Sequence, residues 1–389
     1  MVAALLAATP VVSRALAECA GLALAEPITA TMALPPFDNS AMDGYAVRSV
    51  DIARATIETP AHLPVTEDIP AGRTDSPVLR PGTAHRIMTG APIPPGADAV
   101  VPVELTDGGQ DQVRIYSSRA PGESVRPAGS DVRAGDQVLP VGAVLGPAQL
   151  GVAAAVGYAE LPVRRPVRVL VLSTGSELVE PGTAVQHGQI YESNATMLAA
   201  AVREAGGQAR QMRFVPDDVA ALEAALTPEL VRIDLLVSSG GVSAGAYEVV
   251  KSAMTGHGVN FSKVAMNPGA PQGVGRYHGV PVAALPGNPV SALVSFEVFV
   301  RPALRAAMGL PAQRPRCLAR LTEALDSPPD KRQFRRGVLD PDAATVTPIG
   351  GPSSHLLAAL ARSNCLIDIP QTTTTLERGA QVVVVRTGL

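Results

Sequence analysis

The spacing of apolar positions changes twice along the chain. In residues 11–22, Val12, Leu16, Cys19 and Leu22 recur near helical spacing and predict a short amphipathic helix. Leu34-Pro35-Pro36 then predicts extended chain, because proline fixes φ and restrains its predecessor. From 43 to 125, short apolar runs are broken by Pro and Gly. The Pro81-Gly82 turn and the run Ala99-Val100-Val101-Pro102-Val103 predict a small β-rich module. Residues 126–162 return to mixed turns, with a helix expected inside LGPAQLGVAAAVGY.

After Arg164-Arg165-Pro166 the texture is different. Val169–Leu172 is continuously apolar, as a strand buried on both faces should be. A helix is predicted over 194–205, opened by Asn194 as N-cap and closed by Gly206-Gly207. A second opens at Asp217-Asp218 and runs through Leu226. Leu235–Val237 and Val280–Ala284 are further buried strands, with a helix between them ending near Gly256. A last helix starts at Val290 and must end or kink near Pro302. Strands alternating with helices predict βαβ units with a parallel sheet covered on both faces. Beyond Pro311–Pro315 the runs shorten again, as in Gly337-Val338-Leu339, Thr345-Val346-Thr347 and Gln381–Val385, and fit a small β-barrel.

Composition narrows the function. The chain has 389 residues, 46% of them hydrophobic, so several cores are expected and disorder is excluded. A net charge of −3, 3% aromatic residues and no Trp argue against a nucleic-acid partner or an anionic membrane surface. No apolar run is long enough for a membrane span. The N-terminal stretch lacks a basic flank and is interrupted by Pro10, Arg14 and Glu18, so it reads as an ordinary helix and not as a leader. Cys19, Cys317 and Cys365 are widely separated. No C-x-x-C pair exists, which fits a reducing cytoplasmic setting and offers no thiolate zinc site.

In an open parallel sheet, ligands bind beyond the carboxyl ends of the strands. Three such ends carry Ser173-Thr174-Gly175-Ser176-Glu177, Ser239-Gly240-Gly241-Val242-Ser243-Ala244-Gly245 and Pro286-Gly287-Asn288-Pro289-Val290-Ser291. Glycines let backbone N–H groups converge and hydroxyls add donors, so the three together predict a pocket for a phosphate or another oxyanion. Neither G-x-x-x-x-G-K-[ST] nor a strand-linked G-x-G-x-x-G is present, against P-loop NTPases and dinucleotide dehydrogenases. Gly241-Val242-Ser243-Ala244-Gly245 matches the G-x-S-x-G pattern of serine nucleophiles, but an anion loop accounts for the same residues. Glu177, Asp217, Asp218 and Glu248 are the nearby carboxylates, with Asp218 and Glu248 the candidate Mg²⁺ ligands. Helix capping is the competing reading for the aspartates. Lys263, on a predicted strand near the pocket edge, is a further candidate catalytic residue, with a surface charge as the competing reading. The six histidines show no ligand spacing.

Pro35-Pro36-Phe37-Asp38-Asn39-Ser40-Ala41-Met42-Asp43-Gly44-Tyr45-Ala46-Val47 closely resembles a segment of the bacterial MoeA and gephyrin E-domain family, the molybdopterin molybdenumtransferases. Arg86–Pro94, Gly129-Ser130-Asp131-Val132, Ser173–Leu178, Gly188–Asn194, Ser239–Gly245 and Leu285–Ser291 resemble further blocks in the family's order. The resemblance implies an elongated, multidomain homodimer. An α/β molybdopterin-binding domain III would span 163–310, a β-rich domain II 43–125, a linking domain I 1–42 with 126–162, and a C-terminal barrel domain IV 311–389. It implies a cleft between domain III and the domain I/II region of the other subunit. Asp43, Thr89, Asp131, Glu177 and Asp218 match residues of that cleft. The implied reaction takes adenylylated molybdopterin and molybdate, inserts molybdenum and releases AMP with Mg²⁺. A molybdopterin adenylyltransferase is an expected partner.

Two departures stand out. Where the family often reads G-D-Y-D, this chain has Gly245-Ala246-Tyr247-Glu248. Where it commonly reads K-P-G-K-P, with lysines thought to face molybdate, this chain has Asn267-Pro268-Gly269-Ala270-Pro271. Arg335, Arg336 and Ser354 are then candidates for oxyanion contacts. A catalytically weakened, gephyrin-like scaffold and an adenylyltransferase acting one step earlier are the alternative functions.

Overall fold

The computed structural model describes residues 2–214, 218–242 and 249–387. They form two compact units: Arg14–Ala20 with Glu26–Leu161, and Met1–Ser13 with Gly21–Ala25 and Pro162–Leu389.

The first unit is built on a five-stranded sheet: β1 (Gly44–Val47), β2 (Ala61–Ile69), β3 (Ala84–Ile87), β4 (Ala99–Pro102) and β5 (Gln112–Ile115), in the order β4-β1-β3-β2-β5. Period-2 alternation sends Tyr45, Val47 and Val101 to one core and Ala46, Ile87 and Val100 to another. Gly44 is obligatory, since a Cβ there would strike the Val101 carbonyl of the neighbouring strand. Helix α1 (Pro147–Ala155) lies in the predicted segment, with proline in its first turn and the Gln149 side chain accepting from the Gly146 N–H at 3.2 Å. The helix expected over 11–22 does not form. Val11–Ala15 is a strand of alternating exposure, followed by one 3₁₀ turn, Leu16–Glu18. The paired β-branched residues at 11 and 12 favour extended chain, and of the four spaced positions only Cys19 is fully buried.

The second unit holds the predicted α/β layer. Its strands are β6 (Arg168–Thr174), β7 (Gln208–Phe214), β8 (Leu235–Ser239), β9 (Val259–Lys263), β11 (Pro271–Tyr277) and β12 (Val280–Leu285). A two-residue strand, β10 (Met266–Asn267), lies between β9 and β11 in sequence. The sheet order is β7-β6-β8-β12-β11-β9, parallel across the first four and antiparallel at β11 and β9. Helix α2 (Asn194–Glu204) packs on one face with α5 (Pro289–Ser295) and α6 (Arg301–Ala307); α3 (Val219–Leu230) and α4 (Val249–Met254) cover the other. The kink expected at Pro302 is a π-turn, Phe296–Val300, between α5 and α6. Proline has no N–H to donate, and the wide turn accommodates the lost bond.

The C-terminal region closes as a barrel. Strands β13 (Arg316–Leu321), β14 (Arg332–Asp340), β15 (Thr345–Pro348), β16 (Cys365–Ile369) and β17 (Gln381–Arg386) run β14-β15-β13-β17-β16, and β16 pairs back onto β14. Its interior holds Ala319, Leu321, Val346, Ile367 and Val384. Burial among these apolar groups pushes the Cys365 thiol up to about 12, so it stays neutral. Strand β10 adds to β14 in parallel, and Met266, Val290, Val294, Phe334 and Leu366 form an apolar seam joining α/β layer and barrel. Among the described residues no helix is long and apolar enough to cross a membrane.

Candidate active site

Register brings the three predicted loops to one level. Ser173 of β6 lies opposite Ser239 of β8, and Ser239 opposite Leu285 of β12. The chain leaves β6 toward the face covered by α2 and leaves β8 toward the face covered by α3 and α4. Divergence of neighbouring connections opens a crevice at the switch point of the sheet. Here the crevice is a cavity of ≈ 980 Å³, lined by residues of all three loops, by Met266–Pro271, and by Lys331 and Pro352–Ser354.

The rim is held by a polar network. The Ser173 hydroxyl donates to Glu192 Oε1 at 2.9 Å, and the Ala195 N–H donates to the same oxygen at 2.7 Å. Buried Glu192 thus fixes Ser173 and satisfies an N-terminal donor of α2. Asn194, expected to cap that helix, is its first residue; its side-chain amide donates to Ser239 Oγ at 2.8 Å and to the Gly287 carbonyl at 2.6 Å. Its Oδ1 is buried with no partner among the described residues. Gly240 has φ +89° and a Cβ there would lie 3.0 Å from the Thr174 carbonyl, so only glycine fits. A Cβ at Gly175 would lie 2.5–2.8 Å from the carboxylate of Glu177, which folds over this bare backbone and stays exposed.

The opposite wall comes from the barrel side. The Gln333 amide donates to Asn267 Oδ1 at 3.2 Å, and buried Gln272 donates to the Gly269 carbonyl at 2.6 Å and to Ser295 Oγ at 2.7 Å. These bonds fix the 267–271 segment. Asn288 donates to Ser354 Oγ at 2.8 Å and so ties the β12 loop to the barrel.

Ser173, Thr174, Gly175, Glu177, Ser239, Gly240, Gly241, Pro286, Gly287, Asn288, Ser291 and Ser354 all line the cavity. Ser243, Gly245 and Glu248 lie outside the described residues, as does Asp217. Asp218 does not line it. Its carboxylate accepts the Ala221 N–H at 3.0 Å as the N-cap of α3, the competing reading of that residue. Lys263 is exposed at the end of β9, the outermost strand of the sheet and two strands beyond β12, and is absent from the wall. Arg335 and Arg336 are buried within β14 and donate to the carbonyls of Gly350 and Gly351, so neither reaches the cavity. Burial lowers the pKa of both guanidinium groups. Sequence reasoning passed over Lys331, Glu192 and the bridging role of Asn194; the scarcity of lysine was the one signal for the first. In the other unit, Asp43 accepts both the N–H and the hydroxyl of Thr89 at 2.7 Å, which lower its pKa, backbone donor foremost. Asp131 is exposed there. No cluster of three or more His, Cys, Asp or Glu suited to a metal occurs among the described residues.

Fold and cavity define a class: a multidomain α/β protein with a hydroxyl- and glycine-lined cavity at the switch point of a parallel sheet. Residues 1–157 match the MoeA N-terminal region (domain I and II), 170–306 the probable molybdopterin-binding domain, and 318–386 the MoeA C-terminal region (domain IV). The chain is 57% identical to molybdopterin molybdenumtransferase 2 of Mycobacterium tuberculosis over 95% of its length and 93% of the relative. It is 36% identical to the molybdopterin molybdenumtransferase of Haemophilus influenzae, covering 95% of this chain and 92% of that one. The solved molybdopterin biosynthesis MoeA protein of Pyrococcus horikosii superposes with a TM-score of 0.84 at 32% identity, over 100% of this chain and 97% of that one. The chain belongs to the MoeA family.

Proposed function

We propose that the cavity binds adenylylated molybdopterin and, with molybdate as second substrate, yields molybdenum-loaded molybdopterin and AMP. The protein is a molybdopterin molybdenumtransferase of molybdenum cofactor biosynthesis. One observation carries the placement: three in-register loops of hydroxyls and bare glycine backbone open on a single cavity at the sheet's switch point. Thr174 offers a hydroxyl donor to phosphate oxygens, while the Ser173 and Ser239 hydroxyls donate to Glu192 and to the Pro286 carbonyl and fix the loops around it. The large volume suits a ligand of two ring systems joined by phosphates.

Mg²⁺ fits the residues present. It is usually held by one or two carboxylates, waters and substrate phosphates, and Glu177 is an exposed carboxylate in the wall. When bound, the ion neutralises charge on the phosphates as AMP departs. The protein's own part is to orient the phosphates at the rim and hold the Glu177 carboxylate beside them. The same reading makes the working unit a cytoplasmic homodimer, with Asp43, Thr89 and Asp131 of a second copy completing the cleft. An adenylyltransferase would supply the substrate. The scaffold alternative is not favoured, because relatives matching over nine-tenths of the chain are transferases by name.

The test is Glu177→Ala. Insertion assayed by AMP release should fall at least about 100-fold, while calorimetric affinity for adenylylated molybdopterin without Mg²⁺ stays within about threefold. Unchanged insertion would remove Glu177 from the reaction. Failure of the wild type to bind the adenylylated pterin would remove the cavity.

A further inference from the structure

We propose that Tyr191 is the stacking platform for the purine ring of the substrate's adenylyl half. The inference rests on the cavity being the transferase site, and it adds the group that recognises one of the ligand's two ring systems. Thr174 and the bare backbone of the strand-end loops serve phosphate oxygens, and such contacts read neither ring. A flat heteroaromatic ring drawn from water is best met by an aromatic face, because offset stacking adds attraction to the area buried. Among the described residues lining the cavity, Tyr191 is the only aromatic one. The chain has six Tyr, six Phe and no Trp, and of the large apolar side chains left exposed among the described residues only Phe37 and Tyr191 are aromatic. Phe37 belongs to the other compact unit.

The ring is held in place before any ligand arrives. Between β6 and α2 the chain folds into two short parallel strands, Leu178–Val179 and Ile190–Tyr191, with Tyr191 opposite Val179. The next residue is buried Glu192, whose N–H donates to the Val179 carbonyl at 2.8 Å and whose carboxylate accepts from Ser173 and from the Ala195 N–H. The far end of the side chain is fixed as well, since the Tyr191 hydroxyl donates to the Thr183 carbonyl at 2.9 Å. Backbone and hydroxyl are thus pinned, yet 48% of the residue stays exposed. Neither apolar core of the α/β layer takes up the ring. A tyrosine has few rotatable bonds to freeze, and here they are already restrained, so a ligand that covers the ring meets little further ordering cost.

The purine is the ring on this side because of how the two walls differ. Adenylylated molybdopterin carries its phosphates between its rings, so phosphates seated at the strand-end loops send one ring toward each wall. Tyr191 and Ile190 form an exposed lip on the α/β side. The opposite wall, Met266–Pro271, is buried or half-buried throughout and is continuous with the apolar seam to the barrel. AMP is the half that departs, and the pterin is the half that stays to receive the metal. A half-open lip suits the former, and an enclosed wall that excludes water suits the latter.

The experiment is calorimetry of AMP alone and of adenylylated molybdopterin on wild type and on Tyr191→Ala, Tyr191→Leu, Tyr191→Phe and Tyr191→Trp, with insertion kinetics on each. In Tyr191→Ala the affinity for AMP should fall about 5- to 100-fold, the range for losing one base–aromatic stack. The KM for adenylylated molybdopterin should rise in step, with kcat within about threefold and the KM for molybdate within about twofold. Tyr191→Phe and Tyr191→Trp keep a ring and should bind AMP within about threefold of wild type, whereas Tyr191→Leu should behave like Tyr191→Ala. In Tyr191→Trp the new side chain is the chain's single tryptophan, and saturating AMP should quench its fluorescence. An AMP affinity unchanged in Tyr191→Ala overturns the proposal, as does a Tyr191→Leu variant that binds AMP like wild type, which would reduce the ring to apolar cover. Weakened binding of adenylylated molybdopterin with AMP binding intact would move the stack to the pterin and also overturns it, as would a wild type that takes the adenylylated pterin but not AMP. A wild type that binds neither brings down the transferase site itself, a result distinct from all of these.

Discussion

At the amino edge of the parallel sheet, Asp234, just before β8, accepts from Arg165 at 2.8 and 3.0 Å and from the Arg168 guanidinium and backbone at 2.8–3.2 Å. At the carboxyl edge, the same strands end in hydroxyls, glycines and an amide oxygen that has no partner. Every polar group of the amino edge clamp is answered by another group of the fold. At the carboxyl edge most side chains are paired too, but the Asn194 oxygen has no partner among the described residues and the loops line an open cavity. The two edges share strands, register and core, so the difference is one of assignment: paired charge holds the layer together, and the open loops serve a ligand.

The largest effect that would break this comparison is expected at Gly240. A β-branched side chain there meets both a positive φ of +89° and the Thr174 carbonyl, 3.0 Å from the first added carbon. Gly240→Val should cost at least about 100-fold in affinity for adenylylated molybdopterin, read by calorimetry, because the loop must move from the rim. The urea midpoint should fall far less than a core cavity would make it fall. A variant that binds normally would show that the carboxyl edge is merely a set of turns.

The converse expectation belongs to Asp234. Burial opposes its ionisation, but hydrogen bonds from Arg165 and Arg168 outweigh that and hold its carboxyl well below the usual range. A depressed folded-state pKa contributes stability above the unfolded value near 4, and that contribution is lost as pH falls through the folded value. Asp234→Asn should therefore lower stability by about 1–3 kcal/mol near pH 7, by urea melts, with the gap narrowing below about pH 4. Binding at the other edge should not change. A gap that is constant across this range would mean that the carboxylate is not what the clamp uses.

The carboxyl edge was largely legible in the sequence because it is local: each loop follows a continuous apolar run, and glycine and hydroxyl residues announce themselves by type. The barrel wall was not. Lys331 reaches the cavity only because β10 pairs with β14, a contact between positions some 66 apart in sequence that no periodicity encodes. Lys263 was preferred as a neighbour of the α/β strands, yet β9 is the sheet's edge and carries it away from the rim. Arg335 and Arg336 read in the sequence as candidate oxyanion contacts on an accessible strand. The closed barrel and its seam bury β14 continuously from Gln333 to Gly337, which defeats the alternation that reading assumes. Asp218 illustrates a different limit, since a carboxylate before a helix caps it whether or not a metal is near.

The smallest expected effect probes the joint between the two walls. Asn288, in the loop between β12 and α5, donates to Ser354 Oγ on the barrel side at 2.8 Å, and the Val290 N–H donates to the Ser354 carbonyl at 3.2 Å. The side-chain bond is exposed, so water competes for both partners and its net contribution is small. A double-mutant cycle of Asn288→Ala and Ser354→Ala should give a coupling of about 0.5–1 kcal/mol in stability. If the joint also sets the spacing between the rim and the barrel-side wall, the single variants should raise the KM for molybdate and leave affinity for the adenylylated pterin in place, the outcome expected if the rim holds the pterin. Equal losses for both substrates would mean that the rim loop depends on the barrel for its own shape, and the two walls would then have to be treated as one element.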